Sequence, residues 1–195
     1  MASAAARQFV LTAVDFETTG AVAGWDNEPW QIGMCEIASG CQIGEVYSSW
    51  LKIDIDRPFN EYAPGRHSQI RNRLAESPSL PELWDVVSPW LLRHPLVAHN
   101  IGTEKTILRK AAPLSRLGPW IDTLKLARYI YPTLKSYALE DLIDQLGLKA
   151  KVDSICPDLS PHDALYDAVA CAQLLIHFLS LPGWEDVTID SLCAI

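Results

Sequence analysis

The chain has 195 residues, 49% hydrophobic and 21% charged, with a net charge of −8. That length suits a single α/β domain with a real core, and no apolar run reaches the length of a membrane span. The acid excess excludes a long duplex-binding footprint, which draws on a basic surface.

Residues 8–14 (QFVLTAV) are rich in β-branched and apolar side chains and read as a buried strand. Asp15 and Glu17 close it. If the strand continues, its two-residue repeat puts both carboxylates on one face and Phe16 on the other. Thr18, Thr19 and Gly20 then turn the chain. A solvated turn and a cation site account equally well for Asp-x-Glu taken alone. Strands at 30–38 and 43–53 complete an antiparallel meander, and 60–73 reads as an irregular loop carrying Arg66, Arg71 and Arg73.

A helix is expected over 80–92, with Leu83, Val86, Val87, Trp90 and Leu91 inward. A strand at 95–98 leads through His99 and Asn100 into a helix over 103–112. Glu104 falls in its first turn, where a carboxylate also suits the helix dipole. His99 has the character of a hydrogen-bonded anchor for this loop. Lys105, Arg109 and Lys110 read mainly as a solvated face.

A short strand ends at Ile121, helices follow near 122–131 and 137–146, and 149–161 reads as a loop. Ser160-Pro161 then resembles a capped start for a helix over 162–180. Ala164, Leu165, Ala168, Val169, Ala172, Leu175, Ile176 and Leu179 form its core stripe. Asp167 borders the stripe, where a carboxylate needs a partner, and His162 overhangs it. Asp163 is a rival ligand whose simpler role is with the helix dipole. The segment 181–195 carries apolar anchors, Trp184, Val187, Ile189 and Leu192, that suit either the body or another subunit.

Among the tryptophans of the first half, Trp50 and Trp84 fit core positions. Trp25 lies in the polar loop after Gly20, placed to stack on a base, though ordinary packing is the simpler account. Five cysteines, Cys35, Cys41, Cys156, Cys171 and Cys193, show no paired zinc spacing. With no secretory signal evident in MASAAARQ, they point to a reducing cytoplasm.

The order VDFETTG, then LVAHN with an acidic residue four positions after the Asn, then PHDALYDA, resembles the DEDDh family of 3′-to-5′ exonucleases. That family includes polymerase proofreading subunits, RNase T and oligoribonuclease. The stretch IDTLKLARYIYPTLKSYALEDLIDQLGL is similar to the family's aspartate-threonine strand end and the helices after it. The likeness runs from about residue 8 to about 180 of one exonuclease domain spanning 1–195.

The resemblance implies an RNase H-like α/β fold, with a central mixed five-stranded sheet flanked by helices, and two divalent ions, Mg²⁺ or Mn²⁺. Asp15, Glu17 and Asp167 match the family's metal ligands, Glu104 completes the shell, and His162 matches the general base. Phe16, Thr18, Thr19, Gly20, His99 and Asn100 are the expected substrate contacts. The family usually has Phe-Asp at Thr103-Glu104, so Glu104 sets its carboxylate outward by one C–C bond, roughly 1.5 Å. The implied activity removes nucleoside 5′-monophosphates from the 3′ end of single-stranded DNA or short RNA. A binding module weakened at Thr103-Glu104 is the alternative, as is a subunit that works docked on a polymerase, a helicase or another replication or repair complex. DNA versus RNA and a homodimer are left open by these residues, and no membrane partner is expected.

Overall fold

The computed structural model describes residues 4–63 and 69–195. Its centre is a five-stranded mixed sheet of order β3-β2-β1-β4-β5. The strands are β1 (Leu11–Thr18), β2 (Pro29–Ala38), β3 (Gln42–Trp50), β4 (Leu96–Ala98) and β5 (Trp120–Asp122). β1 is antiparallel to β2 and parallel to β4; β3 joins β2 antiparallel and β5 joins β4 parallel. The helices are α1 (Arg71–Glu76), α2 (Trp84–Arg93), α3 (Gly102–Ala111), α4 (Thr123–Ile130), α5 (Leu139–Gln145), α6 (Lys149–Ile155), α7 (Ala164–Leu179) and α8 (Ile189–Ala194). This is the RNase H-like α/β architecture expected above. Among the described residues, no helix is long and apolar enough to cross a membrane.

Each face of the sheet is covered by its own core, because alternate residues of a strand point to opposite sides. Leu11 and Ala13 of β1, with Cys35 and Ile37 of β2, pack beneath α7 through Ala168, Cys171 and Leu175. Val14 and Phe16 of β1, with Ile32 and Met34 of β2, pack against Val87 and Leu91 of α2 and Leu108 of α3. The alternation carries Asp15 and Glu17 onto the α7 face, in register with Leu11 and Ala13, and Phe16 onto the other.

Several elements differ from the sequence expectation. β1 runs on to Thr18 because β2 pairs with it throughout, Glu17 opposite Gln31 and Thr18 opposite Pro29. The expected loop over 149–161 contains α6, whose buried residue is Val152 alone; with one apolar anchor there is no periodic stripe to see. Helix α7 starts at Ala164 and not at Ser160-Pro161. Its cap is Asp163, whose carboxylate accepts from the Leu165 N–H at 3.0 Å. Val86 of α2 is exposed and not inward. The fully buried tryptophan is Trp30, stacked on Trp50 at 5.8 Å, whereas Trp50 and Trp84 are only half-buried.

The C-terminal segment packs on the body. The Ala6 N–H donates to the Val187 carbonyl at 2.7 Å, and Leu192 of α8 joins the core under α7. Arg66 lies outside the described residues. Arg71 and Arg73 stand over the rings of Phe59 and Trp50, at 4.6 and 5.5 Å.

Candidate active site

The cluster forms where β1 and β4 end and α3 and α7 begin. In open α/β sheets the carboxyl ends of strands are where ligands are received. β1 delivers Asp15 and Glu17, α3 delivers Glu104 from its first turn, and α7 delivers Asp167.

Two residues of β2 bring α7 down onto β1. The Gln31 amide oxygen accepts from the Ala164 N–H at 3.2 Å, across 133 residues of sequence. Gly33 pairs with Asp15 across the sheet. A Cβ on Gly33 would lie 2.0 Å from the Ala164 carbonyl oxygen, so only glycine lets the start of α7 approach this closely. Neither residue is a motif residue, although a glycine inside a strand pattern is a recognised sign of close backbone approach.

The carboxylates repel one another in a poorly solvated place. Burial, and then the charges of Asp167, Glu104, Glu17 and Asp163, push the Asp15 carboxyl well above the usual range. Burial pushes Glu17 up to about 8, with Asp167 and Asp163 adding to it. Asp167 rises to about 7, again mainly through burial, although a hydrogen bond from the His162 backbone N–H at 3.2 Å opposes the rise. Glu104 rises to about 7 through burial. Among the described residues, the charged neighbours that act on these four groups are themselves carboxylates.

Glu104 is only 4% exposed. It stands in the first turn of α3, and its Oε2 is buried with no hydrogen-bond partner among the described residues. From the first turn of α3 its charge acts on Asp15. Glu17, His162 and Asp167 offer ligand atoms that all lie within 4.8 Å of one another. His162 is exposed, in the left-handed region at φ 68°.

The expected substrate contacts divide. Phe16 is buried in the core beneath α2 and α3, away from the carboxylates. Thr19 is fully buried; its N–H donates to Glu28 and its carbonyl accepts from Asn60, both at 2.8 Å. Thr18 accepts from the Trp30 indole at 3.0 Å. Gly20 turns the chain at φ 71°, and a Cβ there would meet Asn60 at 2.8 Å.

His99 is the anchor its position suggested. Nε2 lies 2.8 Å from the Tyr137 carbonyl, which can only accept, so Nε2 carries the proton. Nδ1 lies 3.0 Å from the Thr123 hydroxyl, and burial lowers the imidazole pKa, keeping it neutral. The exposed Asn100, at φ 68°, donates its N–H to Asp122. The same carboxylate caps α4 through Leu124 and Lys125.

A buried set of oxygen donors with no cationic partner among the described residues fits hard divalent ions. Residues 12–175 match the exonuclease family RNase_T. Exodeoxyribonuclease 10 of Escherichia coli K12 is 30% identical over 177 residues, covering 90% of this chain and 71% of that protein. The 3′-5′ exonuclease DinG of Staphylococcus haemolyticus is 30% identical over 183 residues, covering 92% of this chain but 19% of that protein. Among solved structures, Exonuclease X in complex with 5′ overhanging duplex DNA superposes with a TM-score of 0.69 at 26% identity, covering 94% of this chain and 98% of that one. The nuclease domain of 3′hExo, a DEDDh family member bound to rAMP, has a TM-score of 0.71 at 17% identity, covering 93% and 96%, and shares the fold. With the motifs, the sheet and the carboxylate cluster in agreement, the chain belongs to the RNase_T exonuclease family, as a 3′-5′ exonuclease of the RNase H-like type.

Proposed function

We propose that this exonuclease removes nucleoside 5′-monophosphates from the 3′ end of an unpaired DNA or short RNA strand, using two divalent ions and a histidine base. The observation that carries the reading is the convergence of Glu17, His162 and Asp167, whose ligand atoms lie within 4.8 Å of one another, beside Asp15, on which the charges of Asp167, Glu104 and Glu17 act. Asp15, Glu17 and Asp167 would hold Mg²⁺ or Mn²⁺, and the partnerless Oε2 of Glu104 would complete the shell. Bound ions would polarise the scissile phosphate, favour ionisation of the attacking water and offset charge on the leaving 3′ oxygen.

The chain's own residues supply the rest. His162, exposed at the rim and beside Glu17 and Asp167, takes the proton from the attacking water. Asn100 and the turn at Thr18 and Gly20 flank the cluster and receive the terminal nucleotide. The Exonuclease X complex with overhanging DNA supports a strand end as substrate, and the acid excess of this chain favours a short grip over a long duplex contact.

The test is a divalent-metal-dependent assay on matched 3′-ended DNA and RNA oligonucleotides, with products resolved by chromatography. Asp15→Asn should abolish release of 5′-mononucleotides and leave the fold intact. His162→Ala should cost about 10²–10⁴-fold in kcat, the usual contribution of a positioned base. Full activity in Asp15→Asn would overturn the metal assignment, and a near-normal rate in His162→Ala would overturn the base.

A further inference from the structure

The loop between β1 and β2, which follows Asp15 and Glu17 directly, is built around a buried arginine. Arg57 is only 2% exposed. Its Nε lies 3.3 Å from Glu28, its Nη2 donates to the Asp26 carbonyl and lies 3.4 Å from the Thr19 hydroxyl, and among the described residues neither Nε nor Nη1 has a hydrogen-bond partner. Burying a guanidinium is costly unless it is well paired. What lies over it is the ring of Trp25, 4.7 Å from the guanidinium carbon. One face of the indole rests on the cation, yet Trp25 is 54% exposed.

The pose is fixed from several sides. The Trp25 N–H donates to Val22 at 3.0 Å, and Asn60 donates to the Ala21 carbonyl at 3.0 Å. Lys110 of α3 pairs with Asp26 at 2.9 Å. Lys110 lies in the last turn of α3, about 9 Å along the helix from Glu104, and the tie to the site runs through Thr19, two residues past Glu17, whose hydroxyl lies against Arg57. Arg57 and Lys110 are each paired with a carboxylate on the loop, Glu28 and Asp26, so neither is a loose cation for a phosphate on this surface. It offers an aromatic face.

We propose that Trp25 is a stacking platform for one unpaired nucleobase near the 3′ end, held open to solvent by the Arg57 guanidinium beneath it. The proposal rests on the nucleic-acid reading above. A rigid indole supported from below loses little freedom when a base stacks on it, and stacking tolerates any base because each has a π face. A base already paired and stacked in a duplex is not available for it. Trp25 is thus assigned as the residue that selects for an unpaired end.

The test walks a single abasic site through the last nucleotides of a single-stranded oligonucleotide, with KM and kcat measured at each position. In the wild type, one position should raise KM by roughly 5- to 100-fold, the range expected for losing one stacked base, with kcat unchanged. Trp25→Ala should raise KM by a similar factor on the intact strand and become indifferent to that abasic position. Trp25→Phe should recover part of the effect. Trp25→Ala also uncovers the Arg57 guanidinium, so its melting temperature should fall by a few degrees, whereas Trp25→Phe, which keeps a ring over the cation, should melt close to the wild type. A wild type insensitive at every position, or a Trp25→Ala variant still sensitive at the same one, would overturn the proposal. Anisotropy of the same labelled oligonucleotides on the Asp15→Asn background separates it from the exonuclease reading. Abasic sensitivity in affinity that disappears with Trp25→Ala supports the platform even if no strand is cleaved, and no affinity for any oligonucleotide overturns both.

Discussion

Glu17→Gln keeps the shape of the Glu17 side chain and removes its charge. In the metal-free protein the native carboxyl is raised from 4.5 to about 8. A raised native pKa means that the folded state holds its proton more tightly than the unfolded chain. The associated stability is fully present below about 4.5 and drains away as pH rises through about 8. At pH 7 the difference amounts to about 3 kcal/mol for this one nearly buried group. Glutamine cannot ionise and escapes that loss, so at pH 7 in chelator the variant should be more stable than the wild type by about 3 kcal/mol, or roughly 6–12 °C in Tm. The assay is a set of calorimetric melts from pH 5 to pH 8 in EDTA, repeated with millimolar Mg²⁺ or Mn²⁺. The wild type should lose stability across that window and regain it with metal, since an ion that binds only the native state stabilises it. Glu17→Gln should show a flatter pH dependence and a smaller gain from metal. A pH-independent wild-type Tm in EDTA, with the variant melting at the same temperature, would refute the idea that carboxylate repulsion is stored at this site.

Gly33→Ala should destabilise the fold by about 1–3 kcal/mol, as overpacking does, because the new Cβ meets backbone at Ala164; urea melts check this, and kcat should fall because the start of α7 must move. Glu104→Gln retains a hydrogen-bonding side chain in the first turn of α3, so stability should change little while the metal concentration for half-maximal rate rises severalfold; an unchanged metal titration would leave Glu104 as a helix-start residue alone.

The strand alternation that put Asp15 and Glu17 on one face and Phe16 on the other could be read directly, because a two-residue repeat needs no tertiary information. The helix carrying Asp167 was legible from its broad apolar stripe, but its start was not. Ser160-Pro161 has the composition of a cap, yet the chain uses Asp163, since a turn closing from Asp163 N–H to the Ser160 carbonyl at 3.2 Å comes first. Helix α6 was invisible because Val152 is its one buried residue. The parts that set the site's geometry were harder still. Gln31 reaches Ala164 across 133 residues, and no local pattern announces an amide aimed at a distant helix. The buried Arg57 gave no signal, because an arginine beside aspartates in a proline-containing loop has the look of surface.

The turn before α7 is tied to the cluster through Asp167. The His162 backbone, at φ 68°, sits in a conformation that costs a non-glycine residue on the order of 1–3 kcal/mol, and its N–H is fastened to Asp167 Oδ2. Asp167 therefore does two jobs at once, contributing charge to the cluster and holding the histidine's backbone in place, while the imidazole is exposed at the rim. Any change at Asp167 unties the turn along with the carboxylate, so the two residues behave as one unit, and a defect measured at either carries part of the other.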